Sequence, residues 1–140
     1  MKRLRGFGLV TALVLSVLLV AGVSYAQSDP IRIGALYNLT GAMSSIDGPA
    51  LNGARLAVEK LNERGGLLGR PVELVAIDTK TDQQASATAA RQIVRDVVAA
   101  IGYGDTTYVL AAAPIFQQAG KVFLTSGATH PDLPEMVGDY

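Results

Sequence analysis

Short apolar runs alternate along the chain with longer segments in which apolar residues recur every three or four positions. The runs are typical of buried strands, and the spacing is typical of helices with one apolar face. Four such runs are found, at residues 31–36, 72–77, 97–102 and 122–125. Strands that alternate with helices predict a parallel sheet with right-handed crossovers, covered by helices on both faces. The predicted fold class is therefore α/β, a doubly wound three-layer αβα arrangement.

The first helix is predicted over residues 49–64. Pro49 fits a first helical turn, because its missing N–H has no intrahelical partner there. Gly65 and Gly66 are expected to end the helix, since Gly accepts the left-handed conformation of a C-terminal cap. The apolar residues of this segment share one face: Leu51, Ala54, Val58 and Leu61.

Two further helices follow the second and third apolar runs. Thr81 and Gln84 have the spacing of a capping box, which predicts a helix from there to about Arg95. A third helix is predicted over residues 107–118, with Pro114 either kinking it or beginning a second turn.

The first 26 residues have a different pattern, which is that of a secretory signal. Basic residues precede an apolar run at about 7–20, and the small residues Ser24 and Ala26 lie three and one positions before a predicted cut. We expect cleavage between Ala26 and Gln27, leaving residues 27–140 as the mature chain. The alternative is a membrane anchor, which needs about 20 consecutive apolar residues. This run is interrupted at three positions: Thr11, Ser16 and Gly22.

Composition narrows the classes of function. Removing the three basic residues of the signal from the chain's 12 leaves nine against 12 acidic residues, a net charge of −3. With no basic cluster remaining, nucleic acid is not an expected partner. The chain has no Cys, which excludes disulfides, thiolate metal sites, a Cys nucleophile and a lipid anchor on Cys.

Three loops rich in Gly, Ser and Thr follow predicted strands, at residues 38–47, 104–107 and 126–130. In open parallel sheets, ligands bind at the carboxyl ends of strands, beside helix N-termini. None of the three loops contains Lys or Arg. Free N–H groups and hydroxyls at the positive end of a helix dipole suit a carboxylate. The alternative is that these residues only form turns and caps.

Several stretches together make the chain resemble the periplasmic leucine/isoleucine/valine-binding family, whose fold also serves as receptor ligand-binding domains. The stretches are Ile33-Gly34 with Thr40-Gly41, residues 52–58, residues 62–70, Asp78, Ile101-Gly102 and residues 127–133. The resemblance implies the N-terminal lobe of a type I periplasmic binding fold, in which two lobes clamp a ligand between them. Four strands make only part of such a protein, so we expect the second lobe to lie outside this sequence.

The resemblance also implies the site residues. Thr106 and Thr129 match positions whose hydroxyls bind the ligand carboxylate, and Gly127 and Ala128 match backbone that lines the same group. Ser45 and Ile46 match a wall of the pocket, although some amino-acid binders carry an aromatic residue where Ile46 stands. The expected ligand-binding set is Ser45, Ile46, Asp105, Thr106, Thr107, Gly127, Ala128 and Thr129.

The implied function is that of an extracytoplasmic solute-binding protein for an inner-membrane ABC permease, with no catalysis, cofactor or metal. The ligand would be a branched-chain amino acid, an amide or an aromatic acid, and the location the periplasm. A sensor domain of the same fold is the alternative. An exported enzyme is disfavoured, because His130 is the only His and no G-x-S-x-G motif occurs. We expect His130 and Asp78 to have structural roles in their loops.

Overall fold

A computed structural model of the protein describes residues 29–138, so the predicted signal sequence and its cleavage position lie outside the described residues. Four strands alternate with four helices along this part of the chain. The strands are β1 (Ile31–Tyr37), β2 (Val72–Asp78), β3 (Ala99–Gly102) and β4 (Phe123–Thr125). The helices are α1 (Ser44–Glu63), α2 (Gln83–Ile93), α3 (Thr106–Gln118) and α4 (Leu133–Val137).

The four strands form one parallel sheet in the order β2-β1-β3-β4. The register brings the carboxyl ends of neighbouring strands level, with Leu36 opposite Gly102 and Gly102 opposite Thr125. The predicted parallel sheet is confirmed. Loops that follow β1, β3 and β4 therefore leave the same edge of the sheet side by side.

Helices cover both faces of the sheet, as a doubly wound fold requires. On one face α2 and α3 pack against the sheet around Leu36, Ala100 and Phe116, all fully buried. On the other face Leu51 of α1 packs against Ala35 and Tyr37. Because successive strand side chains point to opposite faces, Leu36 belongs to the first core while Ala35 and Tyr37 belong to the second.

Helix α1 begins at Ser44, so the prediction that Pro49 lies in the first turn was wrong. Pro49 lies inside the helix and removes only the hydrogen bond that would reach the carbonyl of Ser45. Ser45 is exposed, so water can satisfy that carbonyl. The predicted end was right, because Gly65 and Gly66 adopt φ values of 98° and 77° directly after the helix.

The start of α2 was also predicted one residue too early. The N-cap is Asp82, whose carboxylate accepts the N–H of Ala85 at 2.6 Å. The Thr81 hydroxyl instead donates to the carbonyl of Thr40 at 2.7 Å and accepts the N–H of Met43. Because its hydroxyl makes these tertiary contacts, Thr81 does not cap α2 as its spacing predicted.

The chain between α2 and β3 is held by a lysine. The Lys121 ammonium donates to the carbonyls of Val94 and Val97, just beyond the end of α2. Helix α2 ends at Ile93, before the predicted end at about Arg95, and β3 starts at Ala99, two residues later than predicted. Helix α3 continues through Pro114 to Gln118.

Among the described helices, we find none that combines the length and the apolar character needed to cross a membrane.

Candidate functional site

The three loops predicted to share one edge of the sheet do so. The N–H of Gly104, after β3, donates to the carboxylate of Asp47, which lies near the start of α1, at 2.9 Å. The N–H of Ser126, after β4, donates to the carbonyl of Gly102 at 2.9 Å. The first contact joins loop 38–47 to loop 104–107, and the second joins loop 126–130 to the end of β3. We refer to the three loops together as the rim.

The first loop is anchored from β2 by Asp78. Its carboxylate accepts the N–H groups of Leu39, Thr40 and Lys80 and the hydroxyl of Thr40, the last at 2.9 Å. Partial burial acts to raise the pKa of Asp78, but these four hydrogen bonds outweigh it and hold the pKa below its ordinary value. Asp78 thus has the structural role in its loop that we expected.

A second anchor of the same loop is the fully buried Asn38. Its side-chain oxygen accepts the hydroxyl of Thr79 at 2.7 Å and the N–H of Thr81 at 3.0 Å. Gly41, at φ 83°, lies so close to Thr81 that a Cβ would come within 2.7 Å of the threonine hydroxyl. The loop is therefore tied to β2 on one side and, through Asp47, to β3 on the other.

The second loop is shaped by an unusual backbone conformation. Tyr103, fully buried, adopts φ 52°, which is uncommon for a bulky residue. The next residue, Gly104, has no room for a side chain, since a Cβ would come within 2.8 Å of Cγ2 of Ile46. Asp105 then caps α3 by accepting the N–H of Thr107 at 2.7 Å. That N–H, which we expected to face a ligand, is already hydrogen bonded.

The third loop is organised by the hydroxyl of Thr125. It donates to the carbonyl of Tyr103 at 3.0 Å and accepts the N–H of Ala128 at 3.0 Å and that of Gly127 at 3.4 Å. These two amides are therefore also occupied within the loop, the second by a long bond. A Cβ on Gly127 would lie 3.3 Å from Cα of Gly104, so the second and third loops touch through two glycines.

The predicted residues are placed as follows. Ile46 and Gly127 lie beside Gly104, where the three loops meet, and Ser45 is exposed next to Ile46 at the start of α1. Thr106 and Ala128 are half-buried, whereas Thr107 and Thr129 are exposed. Within residues 29–138, the hydroxyls of Thr106 and Thr129 are not among the groups whose hydrogen bonds hold the rim together. The exposed His130 accepts the N–H of Asp132 on Nδ1 at 3.3 Å, a local contact of the loop.

The sequence and the fold were compared with those of known proteins. A family profile described as periplasmic binding protein matches residues 30–137. The chain belongs to the periplasmic binding protein family. This family comprises extracytoplasmic solute-binding proteins and not enzymes.

Individual relatives agree with this assignment. A Leu/Ile/Val-binding protein of Rhizobium johnstonii is 29% identical over 89% of this chain and 35% of its own length. An amino acid binding protein of Pseudomonas aeruginosa is 31% identical over 88% of this chain and 33% of its own. Among solved structures, the branched-chain amino acid transporter substrate binding protein LivJ of Streptococcus pneumoniae, in complex with isoleucine, is similar with a TM-score of 0.75. It is 26% identical and is matched over 78% of this chain and 32% of its own.

The chain spans about a third of the length of the relatives that it matches. The family membership, the parallel α/β fold and the resemblance to leucine/isoleucine/valine-binding proteins are thereby confirmed.

Sequence reasoning missed residues that hold the rim of this periplasmic binding protein together. Asp47 was included only as the last residue of the candidate loop 38–47, and Thr125 only as the end of a strand. A polar residue at the end of an apolar strand was the available signal for Thr125. Asp47 had no comparable signal, because its two hydrogen-bond partners are nine and 57 positions away in the chain.

The charges around the rim are mainly negative. Asp47, Asp78 and Asp105 belong to it or support it, and each carboxylate accepts N–H groups of the backbone. In the described part of the chain, no group of three or more His, Cys, Asp or Glu residues is arranged to hold a metal ion. The three loops contain no Lys or Arg. A ligand at the rim would therefore meet hydroxyls and backbone groups of this chain.

Proposed function

We propose that this chain provides the carboxylate-binding side of the solute site in an extracytoplasmic solute-binding protein of an ABC transporter. The observation that carries the proposal is the meeting of three loops, from three neighbouring parallel strands, at one sheet edge. Such an edge is the usual ligand position in open α/β sheets. The chain would act by holding a solute for delivery to an inner-membrane permease.

The proposed contacts to the ligand are two hydroxyls. Thr106 lies at the first position of α3, where the helix dipole favours a negative group, and Thr129 lies in the facing third loop. The backbone at Gly127 and Ala128 would line the same group, and the long bond from Gly127 to Thr125 is the one most easily exchanged for a ligand. Ser45 and Ile46 would form a wall, and Asp105 and Thr107 would shape the start of α3.

The proposed ligand is a small molecule with a carboxylate. Relatives named for leucine, isoleucine and valine, and a similar structure with bound isoleucine, support a branched-chain amino acid first. Amides and aromatic acids are the further classes to test. Ile46 supports an aliphatic ligand, because its exposed side chain presents an apolar surface beside Gly104.

The experiment is a ligand screen on the full-length natural protein in its exported form. Thermal unfolding is followed with leucine, isoleucine, valine and benzoate as carboxylates and with leucinamide as an amide that lacks the carboxylate, and hits are titrated by calorimetry. A ligand that binds the folded state at 100 times its Kd stabilises it by about 2.7 kcal/mol, which raises Tm. Matched amines that lack the carboxylate, such as isobutylamine for valine, serve as controls and should give no shift.

Two outcomes would contradict the proposal. One is the absence of a Tm shift with any of the carboxylates. The other is equal binding of a ligand and its matched amine, because the rim is proposed to recognise the carboxylate. Turnover of a bound ligand would instead indicate an enzyme.

A further inference from the structure

Asp47 is a fully buried carboxylate that the expected set of ligand-binding residues does not include. Its Oδ2 accepts the N–H of Asn38 and its Oδ1 accepts the N–H of Gly104, each at 2.9 Å. One side chain on α1 therefore bridges the loops that follow β1 and β3.

The Asp47 carboxylate lies just beyond the end of the pairing between β1 and β3. The last aligned pair is Leu36 and Gly102, and each amide held by Asp47 lies two positions further along its strand. Buried backbone N–H groups need acceptors. An ionised carboxylate supplies two acceptor oxygens and no donor, so it can serve both amides at once.

The charge of Asp47 also reaches the tyrosines around the rim. Burial raises the pKa of Tyr37, a hydrogen bond with Ser126 lowers it, and the negative charge of Asp47 raises it further. Burial likewise raises the pKa of Tyr103, against the effect of nearby hydroxyls, and Asp47 adds to the increase. The charge of Asp47 thus raises the pKa both of the tyrosine that ends β1 and of the tyrosine that follows β3.

Contacts continue from the bridge to the third loop. Gly104 touches Gly127, and the preceding carbonyl, of Tyr103, accepts the hydroxyl of Thr125, which in turn accepts the N–H of Ala128. A displacement of Gly104 would therefore also move the third loop, which carries Thr129.

We propose that Asp47 is a positioning residue of the solute site, whose ionised carboxylate sets the separation of the first two loops. This role rests on the proposed function. Asp47 lies behind the rim and acts on the ligand through the loop that begins at Gly104.

The test is the Asp47→Asn variant of the full-length natural protein. The asparagine amide keeps the shape but turns an NH₂ group toward one of the two N–H donors, so one loop must move. We expect the affinity for the ligand identified by the screen to fall at least about tenfold. The matched control is Asn62→Asp, the reverse exchange at a side chain that bonds both backbone groups of Val72 at the start of β2. It should lower Tm and leave the affinity unchanged.

A second measurement separates positioning from a general loss of stability. If Asp47 acts through the loop that carries Thr106, the variants Asp47→Asn and Thr106→Val should weaken binding together by less than the product of their separate effects. The amide resonance of Gly104 should also shift in Asp47→Asn and stay in place in Asn62→Asp.

The outcomes distinguish the two proposals. If the natural protein binds none of the ligands, the proposed function and the positioning role both fail. If it binds and Asp47→Asn binds equally well, or if the two losses simply multiply, only the positioning role fails. Should Asp47→Asn not fold, Gly104→Ala tests the same contact, because its Cβ would press on Ile46 and on Oδ1 of Asp47. Unchanged affinity in that variant would overturn the role.

Discussion

The hydroxyl of Thr40 donates a hydrogen bond of 2.9 Å to the carboxylate of Asp78, 38 positions later in the chain. The bond ties the loop after β1 to the end of β2, beside the sheet edge where the rim lies. Three backbone N–H groups share the same carboxylate. Asp78 thus holds the first loop of the site in place from the strand next to it.

The first prediction concerns Asp78 and pH. The pKa of Asp78 in the folded state lies below the ordinary value of 3.8. The ionised carboxylate therefore stabilises the fold above about pH 4, and this stabilisation is lost as the pH falls through the lower folded-state pKa. Asp78→Asn should be less stable than the natural protein by about 1–2 kcal/mol at pH 7, and the gap should shrink below pH 4. Urea unfolding at pH 7 and pH 3 measures both. Asp96→Asn, at an exposed position, should show no such gap, and a constant gap for Asp78→Asn at both pH values would contradict the argument.

The second prediction concerns the proposed ligand hydroxyls. Thr106→Val and Thr129→Val each remove a hydroxyl at nearly constant volume, and each should cost about 1.5–3 kcal/mol of binding if the ligand carboxylate loses that partner. Calorimetry should show the ligand Kd rising about tenfold to a hundredfold. Thr88→Val, at an exposed position on α2, is the matched control and should bind normally. Unchanged affinity in both test variants would remove these residues from the site.

The third prediction compares two glycines. A Cβ on Gly102 would lie 2.1 Å from the carbonyl oxygen of Leu36 in the neighbouring strand, and neither backbone can move without opening the sheet. Gly102→Ala should lower the free energy of unfolding by about 2–3 kcal/mol or more. Gly53, inside α1, has open space around it, so Gly53→Ala should raise the same quantity by about 0.5–1 kcal/mol. Chemical unfolding should give opposite signs for the two variants, and equal signs would contradict the packing at β3.

The fourth prediction concerns Lys121. Its ammonium satisfies two backbone carbonyls just past α2, so Lys121→Met should cost about 1–2 kcal/mol of folding stability. Lys60 pairs with Glu63 on the exposed surface of α1, and Lys60→Met should change stability by less than about 0.5 kcal/mol. Thermal unfolding of the two variants checks the contrast. A loss from Lys60→Met as large as that from Lys121→Met would argue against the capping role.

The fifth prediction concerns export, and it depends on residues outside the described part of the chain. Signal cleavage between Ala26 and Gln27 should leave Gln27 as the first residue of the exported protein, which mass spectrometry can read directly. Ala26→Tyr should retain the signal, since the position before the cut requires a small residue. Val17→Leu keeps the apolar run and should be processed normally. A mature protein that starts elsewhere would overturn the assigned cut.

Local pattern alone predicted the strands, the parallel α/β architecture and the edge of the sheet where the three loops meet. This succeeded because the burial of a strand is visible in its own apolar residues. The turn that follows the strand is visible in the Gly-rich residues directly after it. The resemblance to leucine/isoleucine/valine-binding proteins was equally visible in short stretches such as residues 62–70.

Only the tertiary structure decided which polar residues hold the loops. Thr81 has the spacing of a helix cap but binds Thr40 and Met43 across the fold, and the actual cap is Asp82. Asp47 bridges two loops whose amides come together only after β1 and β3 have paired. A hydrogen bond requires its donor and acceptor to lie within a few tenths of an ångström of about 2.9 Å. The spacing of residues along one chain segment carries no information about that distance when the two groups are far apart in sequence.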